Sequence, residues 1–216
     1  MLEKMDEFFN KRSDIYEEHQ LNAIDGAREF YPFTASLLPV RNGAAVLDLG
    51  CGTGLELDCY FRLNPSARVT AIDLSECMLA TLKEKFPERA ITVIQGSYFD
   101  VPFEKNHYDA AVSVESLHHF TKEAKTSLYK KIFQALAAGG SFILTDYFAQ
   151  TEDDENFFRE ELQRLKAEQG INDHAFYHYD TPLTAGHEMQ ALKEAGFSHI
   201  GISAKWGATC TIKAVK

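Results

Sequence analysis

Short apolar-rich runs recur along the middle of this chain, at Ala44–Leu49, Arg68–Asp73, Ile91–Gln95, Tyr108–Val114 and Ser141–Tyr147. Each is too brief for a helix. Near-continuous apolarity over five to seven positions is the pattern of a strand covered on both faces. Longer stretches with helical spacing lie between them, at Leu55–Leu63, Glu76–Phe86 and Thr121–Ala137. Ser75 has the right chemistry to cap the second, Pro87 follows its end, and Gly139-Gly140 is the expected stop for the third.

The flanks read differently. Residues 1–40 are helical in pattern, with Phe8, Phe9, Ile15 and Tyr16 set among charges. A further helix is expected over Asp25–Leu38, carrying Phe30, Phe33, Leu37 and Leu38, with Pro32 as a possible break. Asp153–Gln169 places Phe158, Leu162 and Leu165 on one face, and Thr184–Ala195 is a last helix ending before Gly196. Phe197–Ser203 and Ala208–Val215 flank a tight turn at Trp206-Gly207 and should pair antiparallel. Strand and helix alternation ending in a hairpin predicts an α/β fold: a doubly wound, seven-stranded, mostly parallel sheet with an antiparallel C-terminal strand. A helical cap over residues 1–40 and a domain over 41–216, with a helical insertion at about 150–183, complete the expected organisation.

Charge narrows the function classes. The 216 residues carry 22 Lys or Arg and 32 Asp or Glu, a net charge of -10. Nucleic-acid and anionic-membrane partners are both disfavoured, since each needs a basic surface. Residues 1–40 hold 8 acids and 4 bases, and residues 151–180 hold 9 acids and 3 bases, so the remainder is neutral. Cys51, Cys59, Cys77 and Cys210 form no C-x-x-C pair, so no structural zinc site is expected. Scattered thiols, no signal-peptide pattern and no apolar span of about 20 residues lead to a cytoplasmic expectation.

The sharpest motif is Val46-Leu47-Asp48-Leu49-Gly50-Cys51-Gly52-Thr53-Gly54. A strand runs directly into G-x-G-x-G and then a helix, the arrangement in which backbone closely approaches a ligand. The acid ending the second strand, Asp73, stands 21 residues beyond Gly52, placed to accept from ribose hydroxyls. A dinucleotide fingerprint would require glycine at position 55, which is Leu, so a nicotinamide enzyme is disfavoured. Asp48 sits poorly beside a pyrophosphate and suits a ligand carrying positive charge.

With these residues the chain resembles the class I S-adenosylmethionine-dependent methyltransferases over about residues 44–147. The resemblance implies a Rossmann-like fold, S-adenosylmethionine as cofactor and methyl transfer to a small-molecule O, N, S or C atom. It implies that Gly50, Cys51, Gly52, Thr53 and Gly54 line the cofactor's methionine and ribose, with Asp48 near the amino group and Asp73 on the ribose. Leu74 and Met78 would lie near the adenine. Cys51 itself reads as a small packing residue, not a nucleophile. The segment Gln95-Gly96-Ser97-Tyr98-Phe99-Asp100-Val101-Pro102-Phe103 takes the place of the family's G-D-x-x-x-L-P-F, with Ser97 where Asp is common and Tyr98 as a neighbouring adenine contact. Glu115-Ser116-Leu117-His118-His119-Phe120 matches its L-H-H segment, which faces the methionine end.

Tyr16, His19, Glu115, His118 and His119 are the candidate bases or orienting groups. Glu115 and Asp146 offer two oxygens to a hard cation, with Tyr147 where a third ligand would help, so no metal is expected. The alternatives are an RNA or protein methyltransferase, or a non-catalytic S-adenosylmethionine-binding module. No basic or aromatic strip supports RNA, because Phe176, Tyr177 and Tyr179 lie between Asp173 and Asp180. The acidic flanks further suggest a cationic or amine-bearing acceptor.

Overall fold

The computed structural model describes residues 1–173 and 175–216. Seven strands run in chain order as β1 (Ala45–Leu49), β2 (Arg68–Asp73), β3 (Ala90–Gln95), β4 (Tyr108–Val114), β5 (Leu136–Tyr147), β6 (Ser198–Trp206) and β7 (Thr209–Val215). Among the described residues eight α-helices accompany them: α1 (Met5–Asn10), α2 (Ser13–Ala23), α3 (Ala27–Ser36), α4 (Leu55–Leu63), α5 (Glu76–Lys85), α6 (Lys122–Ala135), α7 (Glu152–Glu168) and α8 (Ala185–Glu194). The strands form one sheet in the order β3-β2-β1-β4-β5-β7-β6. Pairings are parallel from β3 through β5, and β7 is antiparallel to both β5 and β6. This is the doubly wound architecture expected from the alternation of elements.

Alternate side chains leave the central strands on opposite faces, and each face has its own core. Val46, Val112 and Ile143 pack with α3, α4 and α5 residues such as Phe30, Tyr60 and Leu82. Leu47, Leu49 and Leu144 pack with Leu128, Ile132 and Leu192 of α6 and α8. All these side chains are buried. At about 1.5–3 kcal/mol per fully buried aliphatic side chain, these two layers dominate the fold.

Three local features differ from the sequence reading. Helix α3 continues through Pro32, because the proline and Arg28, whose carbonyl loses its partner, both face solvent. Helix α6 ends at Ala135, before Gly139-Gly140. Those glycines lie inside β5, where the register with β4 jumps from Tyr108–Leu136 to Ala110–Ser141, and Gly139 adopts a φ of 76°. They therefore shape a bulge and do not stop the helix. Finally, Leu117–His119 form one turn of 3-10 helix just beyond β4.

α6 and α8 are joined by a buried ion pair. Lys125 Nζ donates to Glu188 Oε2 at 2.6 Å, and the Tyr129 hydroxyl donates to the same carboxylate. Lys125 and Glu188 are almost wholly excluded from water. Removing one partner strands a buried charge, so Lys125→Met should cost about 3–5 kcal/mol in urea denaturation. The double variant Lys125→Met/Glu188→Leu should recover most of that loss.

Candidate functional site

The strand ends at the carboxyl edge build the site. After β1 the chain turns out of the sheet, with Gly50 N–H and Cys51 N–H both donating to the Ile72 carbonyl at 2.8 and 3.2 Å. Gly50 has a φ of 72°, and a Cβ there would fall 2.7 Å from Ser116 Cβ. No other residue combines that backbone with that approach. Asp73, ending β2, accepts from Gly52 N–H at 2.9 Å and Ser75 N–H at 2.8 Å. Burial pushes its carboxyl above the ordinary carboxylate value, against the pull of these amide donors. Ser75 caps α5 as expected, accepting from Met78 N–H at 3.2 Å.

The end of β4 supplies the other wall. Glu115 holds a left-handed φ of 48°, unusual for a side-chain-bearing residue and a common mark of functional sites. Its Oε1 accepts from the Thr209 hydroxyl at 3.1 Å. Burial, then the nearby Asp146, raise its carboxyl to about 7. Asp146, near the end of β5, accepts from Leu117 N–H at 2.9 Å and lies 2.5 Å from His118 Nδ1. Burial opposes charge on His118, but Asp146 and Asp180 prevail and hold it near 10, so the ring is an imidazolium at neutral pH. Burial and that neighbouring charge lower His119, whose Nδ1 lies 3.2 Å from the Tyr179 carbonyl.

A roof closes over these walls. Met5 N–H donates to the Phe176 carbonyl at 2.9 Å, and His178 N–H donates to Glu3 at 3.0 Å. The rings of Phe8 and His178 stack 3.5 Å apart. Asn10 Oδ1 accepts from the Ser75 hydroxyl at 2.7 Å, which fastens α1 to α5. The roof thus comes from α1, α2 and residues 175–180, while α3 belongs to the packed layer against the sheet.

Two spaces lie beneath the roof. A narrow cleft is lined by Gly50, Gly52, Asp73, Leu74, Met78 and Tyr98, with Met5 and Ser116 among its other walls. A larger cavity of about 570 Å³ is lined by aromatic side chains including Tyr147 and Trp206, with Arg12, His19, His118 and Asp180 among its polar groups. Phe9, Tyr16, Glu115 and His119 border both spaces. Tyr16 is half-buried, and removal from water, then the nearby Glu56, Asp73 and Glu115, raise its phenol.

The structure therefore gathers Gly50, Gly52, Asp73, Leu74, Met78, Tyr98 and Glu115 at the cleft, and Tyr16, His19, Glu115, His118 and His119 at the cavity. Other expected residues lie behind the cleft wall. Cys51 is buried in the core, and Gly54 faces Phe86 and Leu82. The Ser97 hydroxyl accepts from Phe99 N–H at 3.2 Å, and Gly96 faces Val101. Asp48 and Glu56 are buried beneath the loop, and burial raises both carboxyls. Both Asp48 oxygens, Glu56 Oε1 and the Thr53 hydroxyl have no hydrogen-bond partner among the described residues. The sequence reading missed Ser116, His178 and Asp180 as site residues. The dense polar and aromatic run Tyr177-His178-Tyr179-Asp180 was the available signal for the last two.

An adenosine-type cofactor fits this chemistry. The glycine turn offers a cradle, Asp73 is an acceptor fixed on the cleft wall, and acceptors without donors underlie the loop. Comparison with known proteins agrees. Residues 46–140 match the family model described as a methyltransferase domain. The chain is 33% identical to the demethylmenaquinone methyltransferase of Lactococcus lactis over 148 residues, covering 65% of this chain and 57% of that protein. It is 24% identical to 24-methylenesterol C-methyltransferase 3 of Arabidopsis thaliana, covering 75% and 49% respectively. The chain thus spans about half the length of these curated relatives. Among solved structures, human N-acetylserotonin methyltransferase in complex with SAM superposes with a TM-score of 0.64 at 18% identity, covering 97% of this chain and 55% of that one. The YcgJ protein of Bacillus subtilis superposes with a TM-score of 0.69 at 14% identity, covering 88% and 98%. At these identities the superpositions speak for the fold alone.

Gly50→Ala should lower stability by about 1–3 kcal/mol, from backbone strain and the clash with Ser116. Adding Ser116→Gly should relieve the clash but leave the backbone strain. Thermal melts of the two variants against the parent will show a partial recovery.

Proposed function

We propose that this chain is a class I S-adenosylmethionine-dependent methyltransferase that methylates a small molecule held in the cavity beside Glu115 and His119. The observation that carries this reading is the shared wall: four side chains border both the cofactor cleft and the cavity. An acceptor in the cavity therefore meets the cofactor there and nowhere else. A volume of about 570 Å³ suits a compact molecule. A roofed chamber of this size does not suit a polynucleotide, and among the described residues no basic strip leads to it.

Bound in the cleft, S-adenosylmethionine supplies a methyl group already activated by its sulfonium. Asp73 would accept from the ribose, Gly50 and Gly52 would let the loop backbone approach, and Leu74 and Met78 would lie near the base. Asp48 and Glu56 lie beneath the loop, and a cationic methionine end bound above it would draw their carboxyls toward the ionised form. Phe9, Tyr16 and the roof hold the acceptor in line and exclude water. Glu115 accepts the proton that a hydroxyl or amine loses on methylation, and Thr209 orients its carboxylate. The acidic surplus of α7 faces solvent, so steering of a cationic acceptor falls to Asp25, Glu115 and Asp180 at the cavity. Four free cysteines agree with a reducing cytosolic compartment. Among the described residues no helix is long and apolar enough to cross a membrane.

Asp73→Ala should weaken S-adenosylhomocysteine binding by at least ten-fold in calorimetry. Glu115→Gln should bind it normally and lower turnover by about 10²–10⁴-fold. Labelled methyl incorporation should be found in a panel of hydroxylated and amine-bearing small molecules. Incorporation into RNA or protein alone would overturn the small-molecule reading, and cofactor binding with no acceptor in any class would favour a non-catalytic module.

A further inference from the structure

One cluster at the cavity has a geometry that the methyl-transfer reading does not account for. Asp180 Oδ1 lies 3.5 Å from His118 Nε2 and 3.2 Å from His119 Nδ1. Charge-assisted N–H···O bonds are about 2.7–2.9 Å long, so both contacts are too long for strong hydrogen bonds. They match another geometry. Donor atoms bound at about 2.0–2.2 Å to one tetrahedral ion stand roughly 3.3–3.6 Å apart. The three donor atoms all lie within 4.8 Å of one another.

We propose that His118 Nε2, His119 Nδ1 and Asp180 bind one divalent transition-metal ion of the zinc, cobalt, iron or manganese type. Two imidazoles and one carboxylate form a donor set for these ions, not for magnesium or calcium, which take oxygen ligands. The arrangement behind the donors supports this assignment. Asp146 Oδ1, 2.5 Å from His118 Nδ1, fixes that ring so that Nε2 points to Asp180. A carboxylate behind a ligating histidine is the usual outer support of a metal site. The Thr181 N–H donates to the His118 carbonyl at 2.8 Å, which ties the Asp180 segment to the histidine turn. On binding the ion, His119 Nδ1 gives up the proton that otherwise faces the Tyr179 carbonyl, 3.2 Å away.

This is a different donor set from the pair Glu115 and Asp146 considered in the sequence. Asp146 is already committed, since its oxygens accept from Leu117 N–H and Tyr147 N–H besides meeting His118. Binding of the ion releases any proton on His118 Nε2 and His119 Nδ1 to solvent. All three ligands line the acceptor cavity, so the remaining coordination positions face it. A ligand presenting a hydroxyl oxygen would complete the coordination there. That last step rests on the methyl-transfer reading, whereas binding of the ion does not.

The test uses the full chain, stripped with a chelator that is then removed. Titration with Co²⁺ should give a saturable visible absorption at one equivalent per chain, which Zn²⁺ abolishes by displacement and excess Mg²⁺ does not. His119→Ala and Asp180→Asn should each weaken Co²⁺ binding at least ten-fold, and Asp146→Asn by about 10–100-fold. Asp180 is 46% exposed at its side chain, so Asp180→Asn retains the fold. Unchanged S-adenosylhomocysteine binding checks this directly. His187→Ala removes the separate contact with Glu155, 2.9 Å away, and should leave Co²⁺ binding as in the parent. The site is overturned if no saturable absorption develops, if Mg²⁺ competes equally, or if His119→Ala and Asp180→Asn bind like the parent. Because the readout involves no turnover, failure of metal binding and failure of methyl transfer are separate results.

Discussion

The hydrogen bond from Gly52 N–H to the Asp73 carboxylate couples the ends of two adjacent parallel strands, and the geometry of the site depends on it. β1 ends in a turn that leaves the sheet, and β2 ends in an acid that catches that turn. The same carboxylate accepts from Ser75 N–H and so also fixes the start of α5. Asn10 then reaches the Ser75 hydroxyl, which places α1 over the cleft. One side chain thereby orders a loop, a helix start and a roof. Buried in this way, it is costly to ionise, and the backbone donors offset that cost. Its position is set before any ligand arrives, which is what preorganisation requires.

A second constraint is the concentration of acids in a region of low polarity. Asp48, Glu56, Asp73, Glu115 and Asp146 all lie in or under the carboxyl edge. Acids without partners there oppose folding, and a sequence selected for stability alone would replace several of them. Asp146 is compensated by His118. Asp48 has no donor among the described residues. That difference separates a group whose partner the fold supplies from one whose partner it does not.

The strand order was legible because strands buried on both faces must be apolar throughout, and Ala45–Leu49 and Tyr108–Val114 are. The glycine turn and Asp73 were legible because local backbone geometry demands those residues at that spacing. Gly139 misled because a positive-φ glycine ends a helix or makes a bulge with the same sequence signature. Pro32 misled because the rule against helical proline assumes a carbonyl that water cannot reach. His178 and Asp180 were not legible as site residues, since about 60 positions separate them from His118 and His119. Only folding of the insertion back over β4 and β5 joins them. Asp146 was visible at the end of a strand, but its role depends on a histidine from the neighbouring strand's turn.

The net charge acquires a different meaning once placed on the fold. Most of the excess on α7 lies in water, where screening over about 8–10 Å leaves little influence on the cavity. The acids that matter number few, and each faces a defined partner or space. Asp180 is held between two imidazoles, while Glu115 stands where cleft and cavity meet. Arg12 and, when no ion is bound, the protonated His118 ring offset them on the same walls. The chamber is therefore not a uniformly negative funnel for cations. It is a volume walled largely by aromatic and aliphatic side chains that carries polar groups of both signs, so its field is set by their individual positions more than by the net charge of the chain.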